Sequence, residues 1–159
     1  MIREYNRTKA VEYAQKWALG KNPQYYYFGG IGGDCTNFIS QCILAGDAVM
    51  NYNRYYGWFY IDSNYHSPSW TSVDYLRRFL LTNNKLGPYG HIDDLNNLQI
   101  GDILQLRQNF IHFNHTLIIS EKYGDEIYVC AHSNPSLNVP LNTYPYIEMV
   151  GIKIDGIYV

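Results

Sequence analysis

The stretch GGIGGDCTNFISQCILAG, residues 29–46, decides the fold of this chain. A glycine-dense turn leads into Cys35, and apolar residues then recur at helical spacing as far as Gly46. The pattern predicts a helix that begins near Cys35 and ends at Gly46. A thiol at a helix N-terminus lies beside unpaired backbone N–H groups and the positive end of the helix dipole, which favour the thiolate. Cys35 is therefore the predicted nucleophile.

The composition is typical of a single folded domain over residues 1–159. Hydrophobic residues make up 47% of the chain and charged residues 16%, so a sizeable core can be buried. A net charge of −2 gives no electrostatic footprint for nucleic acid or for an anionic membrane surface. No apolar run approaches the roughly 20 residues that span a bilayer. None of these features indicates an oligomeric state.

The sequence gives limited information on the cellular location of the protein and on the role of its cysteines. Residues 1–20 are charged and amphipathic and lack the apolar segment of a signal peptide. The protein is therefore expected in the cytoplasm if the chain is full-length, and in the cell wall or outside the cell if it is cut from a longer protein. Three cysteines cannot all pair within one chain. Their spacing lacks the tight clusters of a metal site, so we expect no metal and no cofactor.

Helices come first along the chain and strands follow, which predicts an α+β fold. Besides the helix after Cys35, apolar periodicity predicts helices over residues 6–19 and 72–81. Residues 47–70, rich in tyrosine and asparagine, show no period and are expected to form a long irregular loop. The predicted strands span residues 102–106, 111–121, 126–133 and 146–159, with a hairpin turn at Tyr123-Gly124-Asp125. We expect the N-terminal helices to pack on a C-terminal antiparallel sheet.

His115 is the candidate partner for the thiol. Alternation along its strand places it on one face with Leu117 and Ile119. A histidine among inward apolar residues is either a hydrogen-bonded core residue or a functional group that faces a cleft. The upstream Cys35 favours the second interpretation, because an imidazole can take the thiol proton and return it to a leaving amine.

A third polar group would orient the imidazole of His115 and fix its tautomer. His132 lies in the next predicted strand, and Asn134 competes with it for this role. The backbone N–H of Cys35 would supply the oxyanion hole, with the hydroxyl of Tyr27 or Tyr26 as a second donor. These tyrosines are equally consistent with a place in the core.

The remaining candidates lie around the nucleophile. Asn37 either lines the cleft or lies on the solvated surface of the helix. Trp58 either walls a substrate groove or caps the core. Asp34 is expected to cap the helix by bonding its first N–H groups. Cys42 is two helical turns after Cys35, but a metal pair there has no tighter ligand cluster to support it.

The order of short motifs resembles the bacterial putative amidase domain family. It also resembles, more widely, the NlpC-type cell-wall endopeptidases and the CHAP (cysteine, histidine-dependent amidohydrolase/peptidase) domains. The resemblance covers nearly the whole chain and rests on residues that share the family's order and spacing: Tyr5-Asn6-Arg7, Ala10-Val11, Tyr13-Ala14, Trp17-Ala18, Asn22-Pro23, Asp34-Cys35-Thr36-Asn37-Phe38, Ser40-Gln41-Cys42, Trp58, Ser69-Trp70, Gly101-Asp102 and His115.

The resemblance implies a papain-like cysteine hydrolase fold and an amidase or peptidase activity. It implies Cys35 as nucleophile, His115 as base and His132 as the third polar residue. It also implies that Gly101-Asp102 forms the turn that opens the strand before the histidine strand. The expected substrates are amide bonds in peptides, such as those of peptidoglycan.

Two other functions fit the same residues. The chain could be a non-catalytic wall- or peptide-binding module that uses its tyrosine-rich loop as the contact surface. It could also be an acyltransferase or transpeptidase that passes the acyl group to an amine instead of water. The catalytic residues of a transferase would be identical, so the sequence does not separate it from a hydrolase.

Overall fold

A computed structural model describes residues 1–30, 33–109, 111–132 and 134–159. Part of the turn before Cys35 and the last residue of the strand predicted over 126–133 lie outside the described residues. In the described ranges, no helix is both long and apolar enough to cross a bilayer.

Four helices and nine strands are described. The helices are α1 (Arg7–Trp17), α2 (Cys35–Ala45), α3 (Pro68–Thr71) and α4 (Val73–Thr82). The strands are β1 (Ile2–Arg3), β2 (Tyr60–Asp62), β3 (Tyr65–His66), β4 (Gly87–Ile92), β5 (Ile103–Arg107), β6 (His115–Tyr123), β7 (Glu126–Ala131), β8 (Ser136–Pro140) and β9 (Glu148–Tyr158). Short 3-10 helices follow β4 and β8.

The α+β class predicted from the sequence is confirmed. In the described part of the chain, seven strands form one antiparallel sheet in the order β1-β9-β5-β6-β7-β8, and β4 also pairs with β9. The predicted hairpin joins β6 to β7, where Tyr123 pairs with Glu126. Gly124 in its loop has a φ of 61°, a conformation that costs glycine little.

Several strands were not predicted. β4 has the sequence GPYGHI, which indicates a chain break because of its glycines and proline, yet it pairs along β9 from Gly87 to Ile92. Pairing with a long neighbouring strand outweighs the weak local propensity, and a strand paired on one side tolerates proline. The small β2–β3 hairpin lies inside the region that was predicted to be irregular.

The two faces of the sheet bury different apolar clusters. The helix-facing core joins α1, α2 and α4 to one face, and its members include Ala14, Phe38, Ile43, Trp58, Leu76, Ile118 and Cys130. The opposite core lies on the other face, and its members include Leu98, Leu104, Leu106, Leu117, Val129 and Tyr144. Strand alternation therefore decides on which side of the sheet each polar side chain lies.

A buried ion pair fixes the start of α1 to the turn before β5. Arg7 donates to the fully buried carboxylate of Asp102 at 2.6 Å, to the carbonyl of Ile100 at 3.0 Å and to that of Ile154 at 2.7 Å. Asp102 also accepts the backbone N–H of Ile154 at 2.9 Å. Gly101, between Ile100 and Asp102 in the sequence, has a φ of 85°, a backbone conformation that favours glycine. The two sequence motifs that contain Arg7 and Asp102 thus meet in space.

We predict that Asp102→Asn lowers the free energy of unfolding by about 3 kcal/mol, because Arg7 loses its anionic partner in a dry site. Denaturation in urea measures the change. The matched control is Asp47→Asn, which breaks an exposed pair with Lys9 at 3.0 Å and is expected to have little effect. Equal changes in the two variants would contradict the assigned role of Asp102.

Candidate active site

The candidate nucleophile lies where the sequence predicts it. Cys35 is the first residue of α2, and its side chain is largely buried. The thiol Sγ is 3.9 Å from the backbone carbonyl oxygen of Asn114 and 3.7 Å from the hydroxyl of Thr36. Asn114 immediately precedes His115, so the thiol lies beside the backbone at the start of the histidine strand.

Two further contacts hold this juxtaposition. The hydroxyls of Thr36 and Thr116, each one residue after a candidate catalytic residue, are hydrogen-bonded at 2.9 Å. The backbone N–H of Asn114 donates to the carbonyl of Leu106 at 2.9 Å, and its side chain exchanges hydrogen bonds with Gln108. The start of β6 is therefore fixed to the start of α2 by buried polar contacts.

Asp34 is at the N-cap position of α2, but its carboxylate does not cap the helix. Instead Oδ1 accepts the N–H of Phe28 at 2.8 Å and the side-chain amide of Asn37 at 2.8 Å, while Oδ2 meets His132 Nδ1 at 2.5 Å. The prediction that Asp34 caps the helix is wrong, because its carboxylate is hydrogen-bonded to three other groups. Within the described residues, no side-chain cap is seen at the start of α2, so its first N–H groups can accept an anion there.

His132 is held on the helix-facing side of the sheet. Its Nδ1 contacts Asp34, its Nε2 lies 2.8 Å from the carbonyl oxygen of Trp17, and its ring stacks on Phe38 with centroids 3.9 Å apart. A carbonyl and a carboxylate only accept, and a neutral imidazole donates from one nitrogen only. The ring therefore joins Asp34 to the end of α1, and both of its nitrogens face acceptor oxygens.

The expected role of His132 as the group that orients His115 does not fit this arrangement. Both nitrogens of His132 are already engaged by Trp17 and Asp34. In addition, His115 pairs with Leu106 across β5 and β6, and directly opposed residues share a face. Leu106 belongs to the opposite core, so the two histidines project from opposite faces of the sheet.

His115 lies at the edge of a small pocket. It is the first residue of β6, it is half-buried, and its ring centroid is 6.2 Å from that of Tyr144. Burial lowers the pKa of His115 from its ordinary value, because desolvation disfavours the imidazolium. The neutral ring is the form that can accept a proton from a thiol.

The pocket beside His115 has a volume of about 300 Å³ and is also lined by Asn134, Gln108, Ser136 and Tyr144. Asn134, the competing candidate for the third polar group, therefore shares a pocket with His115, whereas His132 is bound to Asp34. Sequence reasoning missed Gln108 and Tyr144, since only pairing of β5 with β6 and the turn after β8 bring them to this place.

Asn37 and Trp58 have structural positions. Asn37 is buried; its amide donates to the carbonyl of Tyr26 at 3.0 Å as well as to Asp34, and its oxygen accepts the indole N–H of Trp70 at 2.9 Å. Trp58 is fully buried and donates to Ser40 at 3.1 Å. Asn37 therefore neither lines a cleft nor lies on a solvated helix face, and both predicted positions for it are wrong. Trp58 lies in the core, which is one of the two positions that the sequence left open, and it does not wall a groove.

Tyr27 remains exposed beside the site. Its ring is covered by the ammonium of Lys21 at 4.3 Å and meets the ring of His132 edge-on at 6.2 Å. Because His132 contacts Asp34, this places Tyr27 near the residue before the nucleophile. The residue as a whole is 39% exposed, so it does not belong to the core.

Comparison with known proteins agrees with these motifs. The family model for the putative amidase domain matches residues 4–154, nearly the full chain. The chain belongs to the putative amidase domain family. No solved structure matches it significantly.

Relatives of this amidase domain include two uncharacterized proteins of Bacillus subtilis. The chain is 37% identical to YhbB over 123 residues, which is 75% of this chain and 38% of that protein. It is 28% identical to YjcM over 147 residues, which is 87% of this chain and 33% of that protein. The chain thus spans well under half the length of both relatives.

We predict that His115 titrates below the ordinary histidine value of 6.5. Proton NMR of the imidazole over pH 4–9 measures the midpoint, and His115→Gln assigns the resonance. Because the folded chain disfavours the imidazolium, the stability associated with a neutral His115 is fully present above the unfolded pKa of about 6.5 and is lost as the pH falls below that value and through the lower pKa of the folded state. A midpoint at or above the ordinary value would contradict the prediction.

We predict that His132→Leu destabilises the fold by about 3 kcal/mol, because the buried carboxylate of Asp34 and the carbonyl of Trp17 both lose a polar partner. His112→Leu, at an exposed histidine, is the control and is expected to have little effect. The double variant Asp34→Asn/His132→Leu should lose less stability than the sum of the single variants. Strict additivity in chemical denaturation would refute the proposed coupling of the two side chains.

Proposed function

We propose that this protein is a cysteine-dependent amidase or peptidase that cleaves peptide amide bonds through a thioester acyl-enzyme. The observation that carries the proposal is the thiol of Cys35 at the N-terminus of α2, 3.9 Å from the carbonyl of the residue before His115. Membership of the putative amidase domain family supports the same reaction class. The proposal includes a papain-like architecture and a relationship to the NlpC-type and CHAP hydrolases.

In the proposed reaction, His115 takes the proton of the Cys35 thiol and the thiolate attacks the amide carbonyl carbon. The C–N bond then breaks as His115 returns the proton to the leaving amine. Water, deprotonated by the same imidazole, hydrolyses the thioester and releases the carboxylic acid.

The oxyanion of the tetrahedral intermediate would bind at the N-terminus of α2. The N–H of Cys35 is a fixed donor there, and the helix dipole has its positive end at the same place. Asn134 is the better candidate for orienting His115, because the two residues line one pocket. Tyr27 is the proposed substrate-lining residue, since it is exposed and its ring meets that of His132, the partner of Asp34.

The proposed substrates are peptide amides, including those of peptidoglycan. The pocket beside His115 is lined by uncharged groups, among them Gln108, Ser136 and Thr143. A neutral polar group next to the scissile bond would fit these walls better than a charged one, because no opposite charge is present among them to replace its hydration.

We predict that iodoacetamide labels Cys35 about tenfold faster than Cys42 or Cys130, whose pKa values are raised by burial. His115→Ala should slow labelling of Cys35 at neutral pH, whereas His112→Ala, three residues earlier and exposed, should not. Mass spectrometry of the digested protein locates and counts the label. Equal labelling of Cys35 in the two histidine variants would contradict coupling of thiol and imidazole.

Turnover is then assayed on peptidoglycan fragments and on free stem peptides, with detection of the newly released amine. Cys35→Ala should abolish release, and His115→Ala should lower kcat by about 10²- to 10⁴-fold. Hydroxylamine should trap a hydroxamate from the wild-type reaction only. Hydrolysis that persists in Cys35→Ala would overturn the proposal.

Acyl transfer is the second candidate, because the same thioester reacts with an amine as well as with water. Adding a peptide amine and measuring the ratio of aminolysis to hydrolysis separates the two. A ratio that exceeds one at millimolar amine would make the protein a transferase.

A further inference from the structure

A second pocket among the described residues does not include the residues of the candidate active site. It has a volume of about 440 Å³ and lies between α4, the start of α3 and the turn that precedes Trp58. Three exposed tyrosines (Tyr55, Tyr56 and Tyr75) line it together with Arg78 and Lys85. This groove, which we call the tyrosine groove, is large enough for a ligand of oligosaccharide or peptide size.

The turn that carries two of the tyrosines is rigidly held. Asn53 Oδ1 accepts the backbone N–H of Tyr55 at 2.9 Å and that of Tyr56 at 3.1 Å. A Cβ at Gly57 would lie 2.2 Å from the carbonyl oxygen of Asn51, so this close approach requires glycine. Exposed aromatic rings are therefore presented on a preorganised backbone, which lowers the entropy that binding would cost.

The opposite wall is also fixed. The side-chain amide of Asn83 donates to the carbonyl of Pro88 at 3.0 Å, and its oxygen accepts the N–H of Lys85 at 3.0 Å. Tyr75 and Arg78 are three residues apart on α4 and share one helix face. The tyrosine groove thus has two walls of fixed backbone, and its ligand-facing groups are mobile only in their side chains.

The charged side chains that line the tyrosine groove are all positive. Arg78 and Lys85 line it, and no acidic residue does so. Neither cation has an ion-pair partner within the described residues, whereas the neighbouring Arg77 is bound to Asp74 at 2.8 Å. Two uncompensated cations beside the tyrosine rings favour an anionic occupant.

We propose that the tyrosine groove binds an acidic saccharide, with sugar rings stacked on the tyrosines and a carboxylate bound by Arg78. The C–H face of a sugar ring packs on an aromatic face, and the guanidinium fork matches a carboxylate. An acidic peptide is less suited, because the backbone at this turn is already satisfied: the carbonyl of Gly57 accepts from Ser69 at 2.6 Å, and that of Asn53 accepts from Gly57. The proposal is independent of catalysis at Cys35.

The test is a calorimetric titration of the full chain carrying Cys35→Ala, so that turnover does not interfere. The probes are a uronic-acid tetrasaccharide, a neutral tetrasaccharide of similar length and tetraglutamate. We expect saturable binding of the uronic-acid probe, weakened about tenfold by Arg78→Gln through loss of the charge-assisted hydrogen bonds. Arg3→Gln, at an arginine outside the groove, is the matched control and should change the dissociation constant less than about twofold.

Tyr75→Ala should weaken the uronic-acid probe and leave the unfolding midpoint within error, since this side chain is exposed. Absence of saturable binding by the uronic-acid probe would overturn the proposal. So would tighter binding of tetraglutamate, which would make the occupant an acidic peptide, or equal effects of Arg78→Gln and Arg3→Gln. Loss of amide hydrolysis in Cys35→Ala has no bearing on these outcomes.

Discussion

The contact between Asp34 and His132 is the constraint on which the site depends. It joins the turn before α2 to the end of β7, and through the carbonyl of Trp17 it also fixes the end of α1. These three segments are far apart in sequence, and the histidine ring additionally packs on Phe38 of α2. A break here frees the segment that positions Cys35, because Asp34 then loses the partner that holds it away from the helix N–H groups.

Two further contacts fix the helices α1 and α2 against the central strands of the sheet. The bond between Thr36 and Thr116 fixes α2 against β6, and the pair of Arg7 and Asp102 fixes α1 against the turn before β5. Since β5 pairs with β6, the two contacts are connected through the backbone hydrogen bonds between these strands. The position of Asn114 beside the thiol is therefore over-determined, which is what a nucleophile and its base require when neither element alone defines their separation.

The sequence predicts what depends on local pattern. The start of α2 at Cys35 and the turn at Gly124 follow from glycine placement and apolar periodicity, and both are observed. Long-range pairing escapes such reasoning: the residues of β4 carry breaker signals, yet β9 holds them in the sheet. The partner of His132 was missed for the same reason, since no local signal relates a histidine at the end of β7 to the carboxylate of Asp34.

The same pair resolves a conflict in the charge around the nucleophile. A carboxylate one residue before a thiol opposes formation of the thiolate, and the interaction of unit charges a few ångströms apart is large in a poorly solvated site. The carboxylate of Asp34 is held by three groups of the chain: Oδ2 lies 2.5 Å from His132 Nδ1, and Oδ1 accepts the backbone N–H of Phe28 and the side-chain amide of Asn37. Because these groups bind the carboxylate, it does not cap the first N–H groups of α2, and the positive end of the helix dipole stays uncapped beside Cys35.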